Sequence, residues 1–289
     1  MCRKELFRTI ADDLSGIMPA DEAEGTAWWV LEELTGMSRT ELLLWRGELE
    51  AAGLDDVLLR LHAGEPVQYI FGHTVWRGLD LLLNKSTLIP RPETAELVEW
   101  VLHDHPVGRR LRVLDAGTGS GCIAIAVKKE RPEWDVTGID ISADALRIAE
   151  GNGQRNGVAA RWRQADMTKE GKWQAEEWDI VISNPPYVRE CEKVTMRSAV
   201  LDYEPHRALF VPDYDPLLFY RAMAKRLRTK EIYLEVNEAL AAETETLLRE
   251  YGYADTAVRK DSYGKQRMVR GRMVCQGSAL LCGSGALRQ

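Results

Sequence analysis

Apolar residues recur at helical spacing through the first 65 positions, alternate briefly, and then gather into short unbroken runs separated by amphipathic stretches. Leu6, Ile10, Leu14 and Ile17 form one stripe, and Ala27, Val30, Leu31 and Leu34 form a second. Gly36 ends that helix. Ser38 and Glu41 have capping-box spacing and open a short helix through Leu42, Leu43, Leu44 and Trp45. Leu54, Val57, Leu58 and Leu61 give a last stripe, closed by Gly64 and Pro66. Residues 1–65 are therefore predicted to form a small helical bundle, with Trp28, Trp29 and Trp45 in its core.

Between residues 66 and 90 the pattern predicts a β-hairpin linker. Its strands are placed around Tyr69-Ile70-Phe71 and Leu79–Leu83, with Gly72 and Gly78 as turn points. Ile89-Pro90-Arg91-Pro92-Glu93 is a stiff loop, and Glu93 favours the start of a helix through Leu97, Val98, Val101 and Leu102. Strand and helix then alternate through residue 273. Strands are predicted at Leu111–Leu114, Asp135–Ile139, Arg161–Gln164, Asp179–Ser183 and Glu231–Val236, with a final pair near Ala254–Val258 and Arg267–Arg270. Helices are predicted at Cys122–Glu130, Ala143–Gly151 and Leu217–Leu227. This alternation implies an α/β, doubly wound, mostly parallel sheet of Rossmann-like type. The Gly- and Ser-bearing residues 274–289 are expected to be a disordered tail.

Composition narrows the function classes. With 45% hydrophobic and 29% charged residues the chain is that of an ordinary globular protein, and no apolar run approaches a membrane span. Its five cysteines, Cys2, Cys122, Cys191, Cys275 and Cys282, are scattered and form no Cys-x-x-Cys pair, which points to a reducing cytoplasm. The histidines show no zinc-ligand spacing, so no metal is expected. Residues 1–80 carry seven basic and fifteen acidic residues, whereas the rest carries 31 and 30. An acidic front end is a poor surface for nucleic acid, whose phosphates need cationic partners. It suits a basic protein partner, with Glu22, Glu24, Glu32 and Glu33 as candidate contacts.

Four strand ends carry the chemistry. Asp115-Ala116-Gly117-Thr118-Gly119-Ser120-Gly121 joins the first strand of the sheet to its helix, where backbone can approach a ligand closely and helical N–H groups face an anion. Asp140 ends the next strand and is placed to accept both ribose hydroxyls of an adenosine. Asp166, followed by Met167, ends the third, where an adenine amino group would be met. Asn184-Pro185-Pro186-Tyr187 ends the fourth. Two prolines make a rigid turn with carbonyls and the Asn184 amide held beside an aromatic ring, which suits a planar group bearing an NH2. Adenine N6, guanine N2 and a glutamine side-chain amide all meet that description.

In this linear order the four segments match Rossmann-like S-adenosylmethionine-dependent methyltransferases acting on conjugated nitrogens. The chain further resembles the HemK/PrmC family, the protein-(glutamine-N5) methyltransferases of peptide chain release factors, over nearly residues 1–273. The resemblance is carried by Glu65–Gly72, Leu88–Thr94, Gly117–Gly121, Ser183–Tyr187, Tyr203-Glu204-Pro205 with Ala208-Leu209, and Arg267–Val269. It implies an S-adenosyl-L-methionine donor held by Gly117, Thr118, Gly119, Ser120, Gly121 and Asp140. It also implies an amide held by Asn184, Pro185, Pro186 and Tyr187. The substrate it implies is the glutamine of the Gly-Gly-Gln loop in class 1 release factors, with residues 1–65 docking that protein. Two positions depart from the family pattern. Met167 stands where an aromatic residue often packs on adenine, and Arg228-Thr229-Lys230 replaces a usual Gly-Gly turn. A monomer is expected. The competing expectation is a DNA or RNA N6-adenine methyltransferase using the same pocket.

Overall fold

Helices occupy the chain up to the hairpin, and a seven-stranded sheet organises the remainder of a computed structural model that describes residues 1–171 and 176–274. The expected disordered tail lies, apart from residue 274, outside those residues. The first helices are α1 (Arg3–Leu14), α2 (Ala20–Thr35), α3 (Arg39–Leu44), α4 (Leu54–His62) and α5 (Val67–Phe71). Leu6, Ile10 and Leu14 of α1 meet Ala23, Ala27, Val30 and Leu31 of α2 in one buried cluster with Leu42 and Leu61. Gly36 ends α2 in the left-handed region, and Ser38 and Glu41 form the reciprocal cap of α3.

Two expectations fail in this region. Trp45 is exposed, because α3 has only six residues and buries only Leu42 of its apolar run. Trp28 and Trp29 are half-buried. Tyr69-Ile70-Phe71 is helical, not a strand, since Pro66 and the left-handed Gly72 frame a single helical turn. The hairpin therefore forms one step later, from β1 (His73–Trp76) and β2 (Leu79–Leu82).

The sheet-bearing part begins with α6 (Pro92–Asp104), β3 (Arg112–Ala116), α7 (Cys122–Glu130), β4 (Asp135–Asp140), α8 (Ala143–Arg155), β5 (Arg161–Gln164) and β6 (Glu177–Ser183). It continues through β7 (Val188–Arg189), α9 (Ser198–Tyr203), α10 (His206–Leu209), β8 (Phe210–Val211), α11 (Leu218–Arg226) and β9 (Arg228–Glu235). The last elements are α12 (Ala241–Glu250), β10 (Asp255–Lys260) and β11 (Gln266–Arg272). The large sheet runs β10-β11-β9-β6-β3-β4-β5, with parallel pairing from β9 to β5 and antiparallel pairing at β11 and β10. Central strands are buried on both faces, as Ile180, Val181 and Ile182 show, which explains why they read as unbroken apolar runs. The order reverses beside β3, so the carboxyl ends of β3, β4, β5 and β6 open onto one crevice.

Two side-chain amides fasten the hairpin beside this crevice. The Asn152 carbonyl oxygen accepts from Leu82 N, while its Nδ2 donates to Leu82 O and to Ser120 O of the glycine loop. Asn156 does the same for Asp80. The helical unit is held as well. Tyr203 donates to the Ala63 carbonyl, and Arg197 pairs with Glu22. Glu32 pairs with Arg39, and Glu33 lies against His73. Three of the four carboxylates expected to face a partner are thus engaged within the chain, and Glu24 is exposed.

Candidate active site

The glycine loop is pinned at both ends. Gly117 N and Thr118 N both donate to the Ile139 carbonyl of β4, and Gly119 N donates to Asp140 Oδ2 at 2.9 Å. Asp140 also caps the next turn through Ser142 N, at 2.8 Å. Gly119 has φ of +53° and nothing within 4 Å of where a Cβ would stand, so it leaves open space at the loop's tip. That space belongs to a cavity of about 560 Å³. Gly117 to Ser120, Asp140, Asp166 and Met167 form one end of its wall, and Thr94, Asn184 and Pro186 another. The geometry fits an adenosine-bearing donor: a glycine cradle, a carboxylate at the second strand end, and a thioether at the third.

Two expected donor ligands are placed otherwise. Asp115 is fully buried and does not line the cavity. Its Oδ2 accepts from Thr118 Oγ1 at 2.6 Å and from Ala124 N at 3.1 Å, so it braces the loop and caps the first turn of α7 from beneath. Burial pushes its carboxyl up to about 7 against those two bonds. Gly121 likewise faces away from the cavity, toward Ala149 and Trp162. Asp166 does reach the wall. Hydrogen bonds from Thr168 and the neighbouring Lys169 hold it below the usual carboxylate range, although burial opposes them. Met167 lies on the glycine loop, its Cε 3.0 Å from the position of a Cβ on Gly117. Cys122 is on the wall, but burial pushes its thiol up to about 12, so it offers no thiolate.

The acceptor end is built on β6. Ser183 Oγ donates to the Ala116 carbonyl, tying the ends of β6 and β3 together just before the turn. Asn184 Nδ2 donates to Thr94 Oγ1 at 3.0 Å, Thr94 Oγ1 donates to Glu235 Oε2 at 2.6 Å, and Tyr187 OH donates to Glu235 Oε1 at 3.1 Å. Pro186 is on the cavity wall and Pro185 is buried behind it. Tyr187 is not on the wall: its hydroxyl is committed to Glu235 and its ring packs against the core cluster on the β9 side. It braces the turn from behind, where stacking on a substrate had been expected of it. Leu218 and Phe219 of α11 are the apolar residues that reach the cavity from that side.

Thr94, Glu235 and Glu204 were not assigned roles from sequence. Glu204 is buried and accepts from Ile89 N and from Arg91, joining the Ile89–Glu93 loop to the segment before α10. For Glu235 a signal existed, because a carboxylate inside the apolar run of an inner parallel strand is costly unless it is bonded. Burial pushes its carboxyl up to about 7.

Comparison with known proteins agrees with this architecture. A methyltransferase small domain model matches residues 94–202, and a PrmC N-terminal domain model matches residues 5–72. The release factor glutamine methyltransferase of Flavobacterium psychrophilum is 39% identical over 89% of this chain and 94% of its own length. That of Bacteroides thetaiotaomicron is 37% identical over 90% and 96%. Among solved structures, the hMettl16 catalytic domain in complex with a 3′UTR hairpin aligns at a TM-score of 0.52 with 16% identity, over 69% of this chain and 77% of that one. This last likeness concerns the fold alone.

Proposed function

The chain belongs to the release factor glutamine methyltransferase family, and from that premise we propose that it methylates the side-chain N5 of the glutamine in the Gly-Gly-Gln loop of class 1 release factors. The observation that carries the reading is the Asn184 side chain. Its NH2 is committed to Thr94, which leaves Oδ1 as an acceptor at a cavity shared with the glycine loop. An acceptor there holds an amide N–H and turns the nitrogen toward the donor end. S-Adenosyl-L-methionine, when bound, supplies an electrophilic sulfonium methyl. Gly117 to Ser120, Asp140, Asp166 and Met167 are proposed to hold it, with Asp115 and Gly121 shaping the loop. Asn184, with the Pro185 carbonyl and Pro186, is proposed to orient the amide. Such transfer is governed by positioning and electrostatics, so no strong base is required of the chain. Residues 1–65 are proposed as a docking unit, 66–90 as a linker and 91–273 as the catalytic domain.

The test is incubation with methyl-labelled donor and, separately, a release factor, its Gln→Ala variant and duplex DNA. Label in the unaltered factor alone is expected; label in DNA would overturn the reading in favour of an adenine methyltransferase. The Asn184→Ala variant should keep its donor affinity while turnover falls about 10²- to 10³-fold, as when one preorganised polar group is removed. Near-normal turnover would remove Asn184 from the mechanism.

A further inference from the structure

Asn184 is useful to an amide substrate only in one of its two flip states. With Oδ1 toward the cavity it accepts the substrate N–H; with Nδ2 there it presents a second donor and repels it. Its neighbours on the far side decide between these states. Glu235 is buried, and in its ionised form it can only accept. Two hydroxyls converge on it, Thr94 Oγ1 at 2.6 Å on one oxygen and Tyr187 OH at 3.1 Å on the other. Having given its only proton to Glu235, the Thr94 hydroxyl has lone pairs alone to offer Asn184, which stands 3.0 Å away. Asn184 must therefore turn its NH2 to Thr94.

We propose that Thr94 and Glu235 are positioning residues that form a one-way chain of hydrogen bonds fixing the Asn184 flip state, so that Oδ1 faces the methyl acceptor while Glu235 is ionised. This deepens the proposed amide-methylating function and rests on it for its catalytic consequence. Three separate elements supply the chain: the first turn of α6, the end of β6 and the end of β9. Pro92 at the start of α6 and the Arg91–Glu204 pair just before it hold Thr94 at that place. Thr94 is itself buried, so water does not offer Asn184 a competing partner from that side.

Two variants separate position from mere support. Thr94→Val keeps the shape and removes the hydroxyl; Thr94→Ser keeps the hydroxyl and loses a methyl. With release factor as substrate, Thr94→Val should lower kcat about tenfold or more, the cost of losing one defined hydrogen bond and the flip state it selects, with little change in donor affinity by calorimetry. Thr94→Ser should recover most of that loss. Unchanged kcat in Thr94→Val would overturn the proposal, as would equal losses in the two variants. A second readout needs no substrate. The side-chain 15N–1H2 signals of Asn184, assigned by their absence in Asn184→Asp, should shift in Thr94→Val and return in Thr94→Ser. If the wild-type protein transfers no methyl to release factor, the substrate reading fails. The amide signals then decide this proposal alone: the same signals in wild type and Thr94→Val overturn it, and a shift reversed by serine supports it.

Discussion

Asp140 serves two neighbours before any ligand arrives, since Gly119 N and Ser142 N both donate to its carboxylate. Each oxygen keeps a lone pair, so the residue can accept ribose hydroxyls while holding the loop in shape. Asp140→Ala removes charge-assisted bonds worth roughly 1.5–3 kcal/mol, which lowers donor affinity about 10- to 150-fold. Calorimetric titration checks this, and unchanged affinity would remove Asp140 from the donor site. Glu235 carries a different kind of cost. Its carboxyl is raised from 4.5 to about 7 by burial, while Thr94, Tyr187 and Arg267 favour the charge and Glu93 opposes it. The unfolded chain ionises at the lower value, so from about pH 4.5 to pH 7 the folded state binds more protons and stability falls as pH rises. Above pH 7 the loss is complete and amounts to about 3 kcal/mol. Glu235→Gln cannot ionise. Its melting temperature relative to the wild type should therefore rise between pH 5 and pH 8, and a constant difference across that range would contradict a buried carboxylate with a raised pKa.

At the scale of elements, the glycine loop shows how a strand-to-helix turn is made to fit its surroundings. Gly121 has φ of +82°, and a Cβ there would stand 3.0 Å from Ala149 Cβ and from the Trp162 ring. Gly121→Ala should cost about 1–3 kcal/mol through backbone strain and overpacking against α8. A thermal melt within a degree of the wild type would count against that packing. The loop, the sheet and the helical stripes were legible in the sequence because each is a local pattern: two-sided burial makes Ile180–Ile182 an unbroken run, and Leu6, Ile10 and Leu14 keep helical spacing. The misreadings have a common cause. Tyr69-Ile70-Phe71 consists of β-formers, yet Tyr69 is placed by its hydroxyl bond to Thr87 O, eighteen residues away. Trp45 is apolar, but after the short α3 its ring turns over Gly47 and bonds the Glu48 carbonyl at the surface. Asp140, Asp166, Met167 and Asn184, read as candidates because they stand at strand ends, line the cavity. Asp115 and Tyr187 were assigned to the wrong side of their own backbone, which spacing cannot resolve. Thr94 and Glu235 meet only in three dimensions, 141 residues apart.

For the whole molecule the question is how a small, common amide is selected. Contacts remote from the reacting nitrogen must supply that selectivity, since the amide itself is shared by every glutamine. The acidic unit at residues 1–65 meets the later part of the chain at the Tyr203–Ala63 and Arg197–Glu22 contacts. The Arg197–Glu22 pair is exposed and contributes little to stability, so it can exchange for a basic residue on a partner. Glu24 lies on the same helix and is open to solvent. Charges at a rim act mainly on association and are screened over about 8 Å at physiological salt. Removing residues 1–64 should therefore greatly lower kcat/KM for an intact release factor while leaving a short Gly-Gly-Gln peptide nearly unaffected. Glu24→Lys in the full chain should act in the same direction, more weakly, and its effect should fade as salt rises. Steady-state kinetics with both substrates at two ionic strengths distinguishes the possibilities. Equal losses on factor and peptide would mean that the helical unit only supports the fold around the Arg91–Glu204 clamp. A salt-independent loss confined to the factor would assign docking to apolar contacts, with the exposed Leu43, Leu44 and Trp45 as the residues to vary next.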